Sequence, residues 1–268
     1  MSVWMLYTAY AAAFLLTATA MFFFTVTRGA LIMRGVRNML HHDAAHVYPI
    51  YSNMRLIRLV DYQPIIAGIL LFQYDRLVSA ITHSLHGMQL QGHKVLITSC
   101  AFGNVIPRVV KASFQQKADR VLIADIIQNE LDHAHSKLGA YNDRIGYLRD
   151  NAVAMQQADS SVAANVMFFL LHELPHHLKE QALREAVRVL EPGGKLYLAE
   201  FHRPSPLVLR ALSWTYFKVF EPLGLALWDS HDPLKQLQAM GGLTCERRTV
   251  FFGNFQIIIA TKHGAPAI

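Results

Sequence analysis

The alternation of apolar and polar positions divides the chain into three stretches. From Ser2 to Thr27 the run SVWMLYTAYAAAFLLTATAMFFFTVT holds no charged residue. About 20 apolar residues suffice to cross the hydrocarbon core of a bilayer, and this run is too long for the apolar part of a signal peptide. It is therefore read as a transmembrane helix. Arg28, Arg34 and Arg37 follow it, and no charged side chain precedes it, which puts the rest of the chain on the cytoplasmic side of a cell inner membrane as a single-pass protein. Residues 29–90 read as helical and membrane-proximal, because LIMRGVRNMLHH carries apolar and basic residues at helical spacing. Pro64–Phe72 (PIIAGILLF) is too short to span and is read as a buried or membrane-dipping helix that runs on into QYDRLVSAI.

After Gly92 the texture changes to short apolar runs separated by amphipathic ones. KVLITSC is a first strand, and VIPRVVKASFQQK is a helix that holds Pro107 in its first turn, where no hydrogen bond is lost. DRVLIADI, RIGYLR and SVAANVMFFLL are the next strands, with the helix IQNELDHAHSKLG after the second. PHHLKEQALREAVRVL places Leu178, Ala182, Leu183, Ala186, Val187 and Leu190 on one helical face, EPGG is its stop, and KLYLAEF is the fifth strand. Wholly apolar strands alternating with helices predict a parallel sheet covered on both faces. TCERRTVFF and FQIIIATK around Gly253-Asn254 predict a closing antiparallel hairpin. The predicted units are an anchor over 1–28, the helical segment over 29–90 and an α/β domain over 91–268.

Composition supports the anchor: of 268 residues 53% are hydrophobic and 16% charged, with mean hydropathy +0.23. The net charge is +6. Without a Lys/Arg-rich run interleaved with aromatics, that charge points to an anionic membrane surface and not to nucleic acid. Cys100 and Cys245 lie far apart, so no disulfide framework is expected.

The candidate chemistry lies in the loops at the carboxyl ends of the strands, where open parallel sheets bind ligands. Thr98, Ser99, Cys100, Ala101 and Gly103 form a small-residue turn of the kind a nucleotide cofactor approaches, although only one glycine is present. Asp125, with Ile126 beside it, lies 22 residues beyond Gly103, close to the spacing of a ribose-binding acid. It is equally placed to cap the next helix. Asp150, Asn151 and Ala152 put an acid and a backbone N–H where an adenine edge can be read. Phe169, within the fourth apolar run, is a further candidate cofactor contact. His172-Glu173-Leu174-Pro175-His176 spells the zinc-protease pattern, but that pattern needs both histidines on one helix, and Pro175 forbids a helix through it. No metal is expected there. The cluster His41–His46 is read as a solvated turn, Tyr74 as a core residue, and His172, Glu173 and His202 as candidate bases or substrate contacts.

Taken together, VLITSCAFGN, Asp125, RDNA and LREAVRVLEPGGKLYLAEF resemble class I S-adenosylmethionine-dependent methyltransferases, with a Rossmann-like sheet and terminal hairpin, over roughly residues 91–263. In that family the first loop usually carries an acid and three glycines; here Ile97, Ser99 and Ala101 stand in three of those places. FFLLHELP, FHRP and FEPLGLALW resemble the rhodoquinone biosynthesis methyltransferase-like proteins within it, with Glu200-Phe201 where an Asp-Tyr pair is expected. The resemblance implies S-adenosylmethionine as cofactor and a lipid quinone, or another membrane-resident small molecule, as substrate. It leaves open methyl transfer, amino transfer from S-adenosylmethionine converting ubiquinone to rhodoquinone, and a non-catalytic subunit of a membrane biosynthetic complex.

Overall fold

The computed structural model describes residues 3–21, 53–100 and 102–264. The cluster His41–His46, the basic residues Arg28, Arg34 and Arg37, the interfacial stretch and Ala101 lie outside the described residues. Helix α1 (Val3–Met21) has 19 residues and no charge. At 1.5 Å per residue it rises about 28 Å, slightly less than the ~30 Å hydrocarbon core. No single helix among the described residues is long and apolar enough to cross a membrane.

Helices α2 (Met54–Val60), α3 (Gln63–Ile69) and α4 (Tyr74–His86) precede the sheet. The expected continuous helix from Pro64 is broken: α3 and α4 meet at 97°. Leu71 and Phe72, at φ +50 and +60, reverse the chain between them. Local periodicity does not register such a break, because both halves are apolar and both bury one face.

The α/β domain follows as β1 (Lys94–Thr98), α5 (Val105–Gln115), β2 (Arg120–Asp125), α6 (Gln128–Lys137), β3 (Ile145–Arg149), β4 (Val162–Phe168), α7 (His176–Arg188) and β5 (Leu190–Phe201). Then come α8 (Leu207–Phe220), α9 (Pro222–Leu225), α10 (Pro233–Met240), β6 (Leu243–Val250) and β7 (Phe255–Lys262). The seven strands lie in the order β3-β2-β1-β4-β5-β7-β6. β1 to β5 are parallel, and β7 runs antiparallel to both β5 and β6. The predicted sheet and hairpin are thus present. The order reverses between β1 and β4, and that switch point is where the site forms.

The pleat sorts the core. Val95 and Ile97 of β1 face α4 and α5, where Leu77, Ile81, Val105 and Val109 are buried. Leu96, between them, faces the other way, toward Ala182, Leu183 and Ala186 of α7. Every residue of β4 is buried, as a central strand covered on both faces must be.

Two sequence expectations change at strand ends. EPGG lies within β5, because α7 already ends at Arg188 and Leu190 pairs with Val162. Pairing then resumes at Ala164 and Lys195, so residues 191–194 bulge out of the ladder. The hairpin turn takes four residues, Phe251 to Asn254, with both phenylalanines at positive φ, so Phe251 and Phe252 leave the strand predicted for them.

Candidate functional site

Two cavities meet over the switch point. The first, of ≈240 Å³, is lined by Thr98, Ser99, Cys100, Asp125, Ile126, Asp150, Asn151 and Ala152, with Glu130, Leu170 and Glu173 closing it. Nine of the residues selected from sequence, Glu173 among them, therefore converge in one place. The second, of ≈250 Å³, is mostly apolar and aromatic: Ile66, Ile69, Tyr74, Phe168, Phe169, Phe201 and Tyr216, with His172, Glu173 and Glu221. Ser99, Cys100 and Glu173 line both cavities and mark their junction.

The first loop is held by its neighbours and not by glycines. Ser99 adopts φ +78, a glycine conformation that costs a residue with a Cβ about 1–2 kcal/mol. Its backbone N–H donates to Ala124 O at 2.8 Å, which fixes the turn. Asp125 Oδ2 accepts from the Cys100 N–H at 2.6 Å and Oδ1 from the Ile127 N–H at 2.8 Å. Asp125 thus braces the loop and caps the next turn at once. Burial pushes its carboxyl up, and those backbone donors pull it back. Burial, followed by Asp125 and Glu130, pushes the Cys100 thiol up as well, so this cysteine stays a thiol.

Gly103 lines neither cavity. At φ +84 it sits beneath Tyr74, where an added Cβ would come within 2.4 Å of the phenol oxygen. Its N–H donates to Asp61 Oδ1 at 2.6 Å. Tyr74 Oη accepts from the Val105 N–H at 2.6 Å and donates to Phe102 O at 3.2 Å. Tyr74 is the core residue read from sequence, and it also clamps the loop to the start of α5. In the RDNA stretch the Asp150 carboxylate accepts from its own loop, from the N–H groups of Asn151 and Gln156 at 2.8 and 3.0 Å.

The loop after β4 carries the second cavity's polar groups. Pro175 is the N-cap of α7 and the helix begins at His176, as the sequence required. His172 lies in the loop before it, and the His176 ring stacks on His231 with centroids 5.2 Å apart, so the two histidines share no ligand geometry. No group of three or more His, Cys, Asp and Glu among the described residues could hold a metal. Phe169, at φ +53, turns out of the strand. Buried Lys179 ties the loop down by donating to Leu171 O and Leu174 O.

His172 is paired inside the protein. Its Nδ1 meets Glu200 Oε1 at 3.1 Å, and its backbone N–H donates to Glu200 Oε2 at 3.2 Å. The Phe201 N–H adds a bond to Oε1 at 2.8 Å. Burial pushes the imidazole down, but the Glu200 carboxylate outweighs it, with Glu173 and Glu221 adding to the effect, and His172 is raised to about 9. It is therefore an imidazolium near neutral pH.

The structure does not bring His202 to either cavity. Its Nδ1 bonds Gly253 O at 2.7 Å and its Nε2 faces Arg247 at 3.3 Å, so the ring belongs to the hairpin turn. Two residues that sequence reasoning passed over are central instead. Glu200 had a signal, as the acid preceding Phe201 at the end of β5. Glu130 had a weaker one, five positions beyond Asp125 in the first turn of α6.

The ubiE/COQ5 methyltransferase family matches residues 59–240. The chain is 34% identical over 108 residues to the ubiquinone/menaquinone biosynthesis C-methyltransferase UbiE of Hahella chejuensis, covering 39% of this chain and 43% of that protein. It is 28% identical over 149 residues to the UbiE protein of Bartonella quintana, covering 55% and 56%. The matched region thus spans about half the length of these curated relatives. Among solved structures, an O-methyltransferase family protein from Burkholderia thailandensis shares the fold at TM-score 0.58, with 13% identity over 81% of this chain and 62% of that one. The YcgJ protein of Bacillus subtilis does so at 0.56, with 12% identity over 71% and 100%. With the family matched across the switch point, both cavities and the helices that wall them, the chain belongs to the ubiE/COQ5 methyltransferase family of S-adenosylmethionine-dependent enzymes.

Proposed function

We propose that this protein is a membrane-anchored C-methyltransferase that transfers the methyl group of S-adenosylmethionine to the ring of a lipid quinone, in its reduced form, during quinone biosynthesis. The observation that carries this reading is the pair of cavities, one acidic and one aromatic, that meet at Ser99, Cys100 and Glu173.

The first cavity fits the cofactor. Asp125 stands at the end of β2 with lone pairs to spare for ribose hydroxyls. Asp125, Glu130, Asp150 and Glu173 line it, and none of its lining residues among those described is Lys, Arg or His, which suits a ligand of net positive charge. When bound, S-adenosylmethionine supplies an electrophilic methyl group on a sulfonium.

The chain's own residues supply position and charge. Phe169 and Phe201, with centroids 4.8 Å apart, offer aromatic faces and edges to a planar ring. His172, held by Glu200 through Nδ1, has Nε2 left to donate to a ring oxygen. As an imidazolium it favours the deprotonated hydroxyl, and a ring carrying O⁻ is the stronger carbon nucleophile. Glu173, at the junction, accepts the hydroxyl's proton. The ring carbon that takes the methyl group would give up its own proton, and the ring oxygen would regain one as the aromatic hydroquinone reforms, so one proton is released for each methyl group transferred.

Membrane attachment has its own support. The second cavity opens beside Ile69 and Tyr216, which are 52% and 43% exposed although they line it. Leu56, Leu59, Tyr62 and Phe72 before the sheet and Leu207, Val208, Leu212 and Trp214 of α8 are exposed as well, and Arg55 and Arg58 stand next to Leu56 and Leu59 along the chain. Apolar side chains rimmed by arginines suit an anionic bilayer surface, where a prenylated quinone resides. With the uncharged run Ser2–Thr27 as anchor, the domain would sit on the cytoplasmic side of the inner membrane. The names of the curated relatives, ubiquinone/menaquinone biosynthesis C-methyltransferases, agree with this substrate class.

The test incubates the purified full chain with methyl-labelled S-adenosylmethionine and a prenylated hydroquinone bearing a free ring carbon. A labelled quinone one methylene heavier is expected. An aminated quinone would replace this reading by amino transfer, and no product from any quinone alongside intact cofactor binding would refute a quinone substrate.

A further inference from the structure

Glu130 lies in the first turn of α6, 2% exposed, in the wall of the first cavity. Its Oε1 has no hydrogen-bond partner. A buried carboxyl oxygen without a partner is costly, and native proteins complete such atoms with water, an ion or a ligand. The other acids differ. Both oxygens of Asp125 already accept backbone N–H groups, and so do both of Asp150. The nearby cation is committed as well: Lys137 Nζ donates to Asp61 Oδ1 and Oδ2 at 3.0 and 3.1 Å and to Gly103 O at 3.0 Å. β1 ends in Thr98, an uncharged residue that lines this cavity, and Ile97 before it is apolar and buried, so the strand offers no charge there.

S-adenosylmethionine brings three groups to the cavity: an adenosine, a sulfonium and an amino acid with an α-ammonium. Asp125 is placed for the ribose. We propose that Glu130 is the carboxylate that receives the α-ammonium of the cofactor's methionine end, and so selects for the amino acid moiety. This is a binding role, independent of which substrate is methylated.

The electrostatics give the proposal a signature of its own. Burial, then the Asp125 charge, raise Glu130 to about 8, with Lys137 opposing and Asp61 and Glu173 adding to the rise. His133 packs on the same helix against Asp61, and Cys100 faces Glu130 from the first loop as a neutral thiol. In the empty protein near pH 7 Glu130 therefore holds a proton. An ammonium against it favours the carboxylate, so cofactor binding expels that proton to solvent.

Titration calorimetry on the full chain tests this, run near pH 7 in buffers of different ionisation heat. The ligands are S-adenosylmethionine, S-adenosylhomocysteine and methylthioadenosine, which lacks the amino acid part. The wild type is expected to release close to one proton with the first two and none with the third. Glu130→Gln, isosteric but unable to titrate, should abolish the release and weaken the first two ligands by roughly 10- to 100-fold, as loss of a hydrogen bond to a charged group does. Its affinity for methylthioadenosine should not change. Heats independent of buffer in the wild type would overturn the proposal without recourse to any variant. Equal weakening of all three ligands, or of none, would overturn it as well. Failure of the wild type to bind S-adenosylmethionine would instead overturn the cofactor assignment on which the proposal stands.

Discussion

Replacing Glu200 by Gln probes the charge pair that orients the candidate substrate contact. Glu200 is fully buried and bonds His172 twice and the Phe201 N–H once. Its carboxylate overcomes the burial of His172, whose midpoint moves from 6.5 to about 9. That displacement corresponds to about 3 kcal/mol of interaction between the imidazolium and its folded surroundings. Because the folded value lies above the unfolded one, this contribution is complete below pH 6.5 and is lost as pH rises through about 9. In Glu200→Gln the shape persists but the charge is gone, and burial, opposed now only by Glu173 and Glu221, pulls the His172 midpoint down. The variant should be less stable than the wild type by about 3 kcal/mol at mildly acidic pH, and the gap should close toward alkaline pH. Urea denaturation of both proteins across that range, followed by tryptophan fluorescence, measures the gap, and the ring-proton titration of His172 by NMR gives its midpoint. A gap that does not change with pH, or a wild-type midpoint at or below 6.5, would refute the reasoning.

Three further outcomes follow from the geometry. Ser99→Gly should be more stable than Ser99→Ala by about 1 kcal/mol in chemical denaturation, because both lose the hydroxyl but only glycine accepts φ +78 without strain. Tyr74→Phe leaves the buried Val105 N–H without its acceptor and should cost about 1–3 kcal/mol in the same assay, with weaker cofactor binding as the first loop loosens. Leu212→Glu with Trp214→Glu, both exposed on α8, should raise the apparent KM for quinone presented in vesicles by about tenfold while leaving a short-tailed soluble quinone unaffected; an equal change for both substrates would show that this helix does not meet lipid.

Much of the fold was legible because its determinants are local. The apolar runs KVLITSC, DRVLIADI, RIGYLR, SVAANVMFFLL and KLYLAEF contain the five parallel strands, three of which end one to three residues short of the run, and Pro175 set the start of α7 by the same steric rule in sequence and structure. The break at Leu71-Phe72 was not legible, since it is decided by how α3 and α4 pack, and neither residue is one that ordinarily announces positive φ. Residues 191–194 carry a turn signature, yet β5 passes through them because β4 offers ladder partners on both sides of the bulge.

The candidate site divides along the same line. Loops at the carboxyl ends of strands are predictable as places, so Thr98, Ser99, Cys100, Asp125 and Asp150 to Ala152 could be named from spacing, and the structure gathers them in one cavity. What each side chain does there depends on partners remote in sequence. His172 takes its charge from Glu200, 28 residues away, and His202 is diverted by Gly253, 51 residues away. Glu130 is set apart only because the residues around it bury it and leave one oxygen unanswered. Sequence by itself determined the strands, the helix boundary at Pro175 and the acid at the end of β2, because pleat, helical period and proline sterics act between near neighbours. The tertiary structure alone decided which carboxylate is buried, which histidine is charged and where the two cavities meet, because desolvation and Coulomb interaction depend on what the folded chain brings together.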